Sequence, residues 1–333
     1  MSTISTRSIV GAPRPSSGRV ARVVGLAALI VLAAIAAAPI SAQSVQGFFE
    51  AVEDGDLAAV ARYLDKGGDI EARNEVGETA LIKAAEYRQL EVARLLVRRG
   101  ADVGAADAGG VTPLFRAAAV GDAAIVALLL EAGADVDAAS RFGSTPLMYA
   151  VMNGDLGAAR LLLDAGANVN AVGLNGDTAL LNAVYMGTAE GVEMLLLAGA
   201  SEEVAMRTDD FSPVYRAMEN DDLEVLGLLF KYGASIEEPG DEGMTPLIWA
   251  AWLEKESVVR YLIGMGARLD ATDDEGKTAM MRAAADGYLS IVKLLVDAKA
   301  SAWLKDKLGK TAYDYAIAGG FTNTAQYIKK NGK

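Results

Sequence analysis

Two Gly-Lys-Thr triplets, Gly276-Lys277-Thr278 and Gly309-Lys310-Thr311, have the residue types that close a phosphate-cradling loop. Such a loop also needs a glycine five residues before the second one, so that consecutive backbone N–H groups can turn in on the phosphate. Those positions hold Ala271 and Leu304, and neither triplet supports nucleotide chemistry. Acidic runs at Glu237, Glu238, Asp241 and Glu242, and at Asp270, Asp273, Asp274 and Glu275, offer the oxygen ligands that calcium takes. They do not follow the alternating acid pattern with a central glycine that wraps such an ion. The chain has no His and no Cys. That removes Ser-His-Asp and Cys-His nucleophiles, the usual zinc sets, haem ligation and disulfides. Catalysis is left with carboxylates, Lys, Tyr, Ser and Thr, and 44 acids spread along the chain single out no acid–base pair. The expectation is no enzyme, no cofactor and no metal site.

With 31 Lys and Arg against 44 Asp and Glu, the net charge is −13 and the pI near 4.6. Nucleic-acid binding needs a basic stripe that releases counterions, so that class is excluded and a basic or neutral partner is favoured. Charged residues at 23% and apolar ones at 52% describe an ordered globular chain.

The N-terminus reads as an export signal. Arg7, Arg14, Arg19 and Arg22 precede any acid, residues 23–38 form an apolar run, and Pro39-Ile40-Ser41-Ala42-Gln43 follows. A basic start, a short apolar core and a small residue before a polar one predict cleavage after Ala42. An uncleaved inner-membrane anchor is the alternative, but the run falls short of the ~18–20 apolar residues that span a bilayer comfortably. Removing residues 1–42 takes four Arg and no acid, which lowers the net charge by four to −17. Ala- and Arg-rich composition points to a bacterial source and a periplasmic or secreted destination, with a mature domain at 43–333.

The elements that must position any site come from an internal repeat. A Thr-Pro-Leu-like tripeptide recurs with starts at Glu78, Val111, Ser144, Asp177, Phe211, Met244, Lys277 and Lys310. Every spacing is 33 residues except one of 34, where residues 201–210 carry an extra residue. In each copy Thr79, Thr112, Thr145, Thr178, Ser212, Thr245, Thr278 or Thr311 supplies a helix N-cap hydroxyl. Pro113, Pro146, Pro213 and Pro246 follow at the first helical position, where a missing N–H costs nothing. Small pairs such as Ala84-Ala85, Ala117-Ala118 and Ala250-Ala251 let helices approach, and Leu-Leu seams such as Leu95-Leu96 mark a second helix. Gly67, Gly100, Gly133, Gly166, Gly199, Gly233 and Gly266 then end it in the left-handed conformation.

This pattern resembles the ankyrin repeat, T-P-L-H-x-A followed by L-L-L-x-x-G-A-D-V-N, over residues 45–333 and about nine copies. Residues 144–176 are the most faithful copy. The resemblance implies an all-α solenoid of about nine helix-turn-helix units joined by β-hairpin-like loops, starting near 45, 78, 111, 144, 177, 211, 244, 277 and 310 and one unit short at each cap. Gln46-Gly47-Phe48 replaces the tripeptide at the N-terminal cap, and residues 310–333 read as a polar C-terminal cap. Asp107, Asp273 and Asp306 fall where the family braces its hairpin turn. The family's His is replaced by Ile82, Phe115, Met148, Leu181, Tyr215, Ile248 and Met281, which implies apolar packing where the family uses a hydrogen bond.

The family's concave groove is lined by hairpin tips and by first-helix positions after the small pair. Carried over by register, a partner protein is expected at Tyr87, Phe142, Met152, Leu174, Tyr185, Met186, Phe211, Met244 and Trp252. Large apolar side chains that the fold does not need to bury mark a contact patch. The leading expectation is an exported interaction module that binds a partner protein, basic or with an exposed apolar patch, without nucleic acid and without stable membrane insertion once the signal is cleaved. A structural envelope spacer tethered by residues 23–38, or an acidic metal-binding or enzymatic protein, are the other readings.

Overall fold

The computed structural model describes residues 44–201 and 212–332. Residues 1–42, expected to be an export signal, Phe211 and residues 202–210 of the irregular spacing lie outside the described residues. The described residues form nine helix hairpins. Units 1 to 3 pair α1 (Val45–Glu53) with α2 (Leu57–Asp65), α3 (Ala80–Glu86) with α4 (Leu90–Arg98), and α5 (Pro113–Val120) with α6 (Ala123–Glu131). Units 4 to 6 pair α7 (Pro146–Met152) with α8 (Leu156–Asp164), α9 (Ala179–Tyr185) with α10 (Ala189–Leu197), and α11 (Pro213–Glu219) with α12 (Leu223–Lys231). Units 7 to 9 pair α13 (Pro246–Trp252) with α14 (Glu256–Gly264), α15 (Ala279–Ala285) with α16 (Leu289–Asp297), and α17 (Ala312–Ala318) with α18 (Thr322–Asn331). Among the described residues no helix is long and apolar enough to cross a membrane.

The first helices begin where the repeat places a hydroxyl. Thr79, Thr112, Thr145, Thr178, Ser212, Thr245, Thr278 and Thr311 each accept the N–H of the third helical residue, filling one donor that has no partner inside the helix. In unit 1 the cap is Ser44, which accepts Gly47 N–H at 3.0 Å, so α1 starts two residues before the register of its neighbours. First helices pack on first helices and second on second, giving two layers with a continuous core between them. The small pairs are fully buried at Ala84-Ala85, Ala117-Ala118 and Ala250-Ala251. Second helices contribute Leu96, Leu129, Leu162, Leu195, Leu229, Leu262 and Leu295 to the same core. They end in positive φ at Gly67 through Gly266, but unit 8 has Lys299 there, at φ 74°.

Polar groups cross five of the described seams in a regular way. Glu71, Asp137, Asn170, Glu237 and Asp270 each accept the backbone N–H of the next unit, at Asp102, Asn168, Ser201, Arg268 and Ser301, over 2.7–2.9 Å. Glu237 and Asp270, two members of the acidic runs, are therefore inter-unit acceptors. On the other layer Gln89, Asn220 and Lys255 cap the free carbonyls of Glu53, Val184 and Glu219. Unit 9 departs from the polar cap read in the sequence. Its last helix is polar, but Trp303, Leu308 and Ile317 are exposed.

Candidate functional site

Before the first helices of units 2 to 5 and 7 to 9 the chain makes a five-residue finger, at residues 74–78, 107–111, 140–144, 173–177, 240–244, 273–277 and 306–310. Each is closed by a bond from the first N–H to the last carbonyl, 2.9–3.1 Å long. Pairing stops there: among the described residues the only bridge joins Arg73 to Thr79, and no strand forms. Asp107, Asp273 and Asp306 brace the turn as the resemblance implies, each accepting two N–H groups within 2.7–2.9 Å, and Asn74 does the same. Adjacent fingers are joined through Arg141 N–H to Gly109 O, Leu174 N–H to Phe142 O, Asp274 N–H to Glu242 O and Lys307 N–H to Glu275 O.

The finger of unit 7 is built differently. Gly240, like Gly173 in unit 5, stands where the other described fingers carry Asp, Asn or Ser, and Glu242 adopts φ 55°. The missing brace comes from Tyr215 of the preceding unit. Its hydroxyl accepts Gly240 N–H at 2.8 Å and lies 2.7 Å from Met244 O and 3.0 Å from Glu238 O. At the positions that replace the family's His, Ile82, Phe115, Met148, Ile248 and Met281 are buried and apolar as expected. Leu181 is only half-buried, and Tyr215, though buried, keeps a hydrogen bond between neighbouring units.

First helices and fingers share one face: in units 2, 8 and 9 the residue nine positions after the finger's start reaches back to it, and in unit 3 it reaches the preceding finger. Lys83 Nζ lies 2.6 Å from Glu86, 3.4 Å from Glu53 and 3.6 Å from Glu78, and Arg116 reaches Glu78 at 3.3 Å. Burial alone would lower the Lys83 pKa, but the hydrogen bond to Glu86 and the charges of Glu78 and Glu86 hold it above the ordinary lysine value. It is a fixed cation rather than a nucleophile. Arg282 places Nε and Nη2 2.8 and 2.5 Å from Asp273 Oδ2 and stands 3.6 Å from Glu242 and 3.5 Å from Glu275. Tyr315 donates to Asp306 Oδ2 at 2.5 Å. Burial pushes the tyrosine pKa up first and the aspartate pushes it further, while Asp306, despite its own burial, is held below the ordinary carboxylate range by that hydroxyl and by the N–H groups of Lys310 and Leu308. These carboxylates fix turns and helices, and among the described residues no three His, Cys, Asp or Glu side chains cluster as metal ligands.

On this face the structure brings together five of the nine residues expected to meet a partner. Phe142 and Leu174 sit on adjacent finger tips, and Leu174 is 76% exposed. Met152 closes α7, while Tyr185, 67% exposed, and Met186 close the neighbouring α9. Arg141 lies 4.8 Å over the Phe142 ring and Arg216 5.8 Å over Tyr185. Tyr87 and Trp252 are also exposed but stand apart, three units before and two units after Tyr185. Trp252 packs edge-on against Trp249, and Trp249 against Tyr215. Met244 is a correction: it is 3% exposed and belongs to the core. Here the residue just before the N-cap turns inward, as Glu78 and Ser144 also do. Phe211 lies outside the described residues.

The reach-back position was missed in the sequence. It holds Lys83, Arg116, Tyr149, Asn182, Arg216, Trp249, Arg282 and Tyr315, a cation or an aromatic ring in all but one copy, and that periodicity was there to be found.

The family model described as ankyrin repeats (3 copies) matches residues 48–140, 137–206, 196–273 and 265–333. No curated protein matches the chain. Proteins of this family generally mediate protein–protein interaction and are typically not enzymes. With matches that together run from unit 1 to unit 9, over hairpins whose caps, C-terminal glycines and fingers recur in one register, the chain belongs to the ankyrin repeat family.

Proposed function

We propose that this protein is an exported, non-enzymatic binding module whose first-helix and finger face forms a concave groove for a partner protein. The observation that carries this reading is the group of Phe142, Met152, Leu174, Tyr185 and Met186, large apolar side chains left exposed on neighbouring units where the fold gains nothing from their exposure. Aromatic and Met anchors are what interface centres enrich. A rigid groove held by inter-unit hydrogen bonds loses little entropy on binding. Export follows from the basic and apolar start of the chain, with cleavage after Ala42, a mature domain at 43–333, and residence in the periplasm or outside the cell.

Affinity capture from a periplasmic extract tests the binding reading. The protein should retain one partner that a Leu174→Ser, Tyr185→Ser variant loses, both forms having equal helicity by circular dichroism. Retention that ignores the two substitutions would sink it. N-terminal sequencing of the exported protein should begin at Gln43, and an intact residue 1–42 segment would overturn the cleavage.

A further inference from the structure

The charge along the same face changes from one end to the other. At units 2 and 3, Glu53, Glu78 and Glu86 are answered by Lys83 and Arg116. At units 4 and 5 the few charges balance, with Arg141 against Asp177 in number, and in unit 6 Arg216 is paired to Glu219 at 2.8 Å. At units 7 and 8 the two fingers carry Asp241, Glu242, Asp273, Asp274 and Glu275 against Lys277 and Arg282. Asp273 is taken up by its turn and by Arg282, and Glu275 by Lys277 at 2.5 Å. Asp241 and Asp274 are exposed and their carboxylates, among the described residues, make no ion pair, although Lys307 of unit 9 donates to the Asp274 carbonyl oxygen at 2.5 Å. Their fingers adjoin through the Asp274 N–H bond to Glu242 O at 2.9 Å. Trp252 closes the first helix of unit 7, the unit that carries Asp241. The face thus runs from apolar at units 4 and 5 to acidic at units 7 and 8.

We infer that the occupant is a segment of a partner protein with apolar residues at one end and two or more Lys or Arg at the other, lying in one sense only. This rests on the reading of the apolar group as the contact surface, and charge complementarity supplies the rest. The apolar end covers Leu174 and Tyr185, and the cations face Asp241 and Asp274. Packed helices stand 8–10 Å apart, so the fingers of units 7 and 8 lie roughly 20–25 Å from unit 5. At about 3.3 Å per extended residue, the two parts of the segment are separated by about six to eight residues. The reversed sense would set cations against Arg141 and Arg216, which already lie over the Phe142 and Tyr185 rings.

A random 16-residue peptide library displayed on phage and selected on the full chain tests this. Enriched peptides should carry an apolar cluster with basic residues about six to eight positions away. The strongest synthetic peptide should weaken at least ~10-fold on Leu174→Ser, Tyr185→Ser by fluorescence anisotropy. It should weaken ~10-fold at low salt on Asp241→Lys, Asp274→Lys, and much less on Glu131→Lys, Asp164→Lys, the same charge change placed on second helices. Enriched peptides without basic residues, or equal effects of the two charge reversals, overturn the inference and leave the apolar contact surface standing. Binding indifferent to Leu174 and Tyr185, or no enrichment, overturns both.

Discussion

Tyr215→Ile and Gly240→Asp should together destabilise the protein much less than the two changes predict singly. Tyr215→Ile removes a buried hydroxyl that accepts Gly240 N–H and lies 2.7 Å from Met244 O. Two hydrogen bonds at about 1 kcal/mol each and the loss of ring packing come to about 3 kcal/mol. Gly240→Asp puts a Cβ 2.8 Å from the Tyr215 ring, an overpacking that costs about 2 kcal/mol. In the double variant the ring is gone, and the new carboxylate can take the N–H groups of Glu242 and Met244 as Asp273 takes those of Glu275 and Lys277. Isoleucine is already what unit 7 pairs with a braced finger, at Ile248 and Asp273. The double variant should lose about 2 kcal/mol rather than about 5, a coupling of about 3 kcal/mol. Urea unfolding of all four proteins by far-ultraviolet circular dichroism measures the cycle. Additivity within about 0.5 kcal/mol would refute the argument that Tyr215 substitutes for the missing side chain.

Lys299→Gly should stabilise the protein by about 0.5–1 kcal/mol, because its φ of 74° suits glycine at a position where seven other units have it, and an unchanged urea midpoint would count against this. Arg282→Met should cost about 3 kcal/mol, since the side chain of Asp273 is wholly buried and would keep its charge without its partner, and a loss under 1 kcal/mol in the same titration would contradict it. Asp306 and Asp314 are both held below the ordinary carboxylate value of 3.8, Asp314 first by the Thr311 N–H and then by its hydroxyl. Their contribution is therefore complete above that value and lost as pH falls through the lower folded values, so amide exchange in unit 9 should quicken first under acid. Tyr315→Phe should move that loss to higher pH. The raised Tyr315 pKa has the opposite sense, giving stability that is present below the ordinary tyrosine value of 10.0 and lost above it.

What the sequence carried plainly was local. Thr79 or Gly166 acts within its own turn, so its role follows from residue type and position. The two-layer stack then follows from the period. What it hid depends on neighbours in space. Met244 looked like a finger-tip residue by register, yet its side chain is drawn into the core, whereas Lys310 at the same register position stays exposed. The Tyr215–Gly240 exchange spans two units and has no signature until the hydroxyl is seen under the turn. Grouping followed the same rule: Phe142, Met152, Leu174, Tyr185 and Met186 meet because their units are consecutive, whereas Tyr87 and Trp252 share the face but not the neighbourhood.

The small pairs are not all equally small. Their second members are Ala85, Ala118, Ala251 and Ala284 in units 2, 3, 7 and 8, but Val52 in unit 1 and Val151, Val184 and Met218 in units 4 to 6, all of them buried. The distance between packed helices depends on the side chains at their contact. Substituting alanine at Val151, Val184 and Met218 should therefore change the spacing between the units that carry Leu174 and Tyr185 without touching either residue.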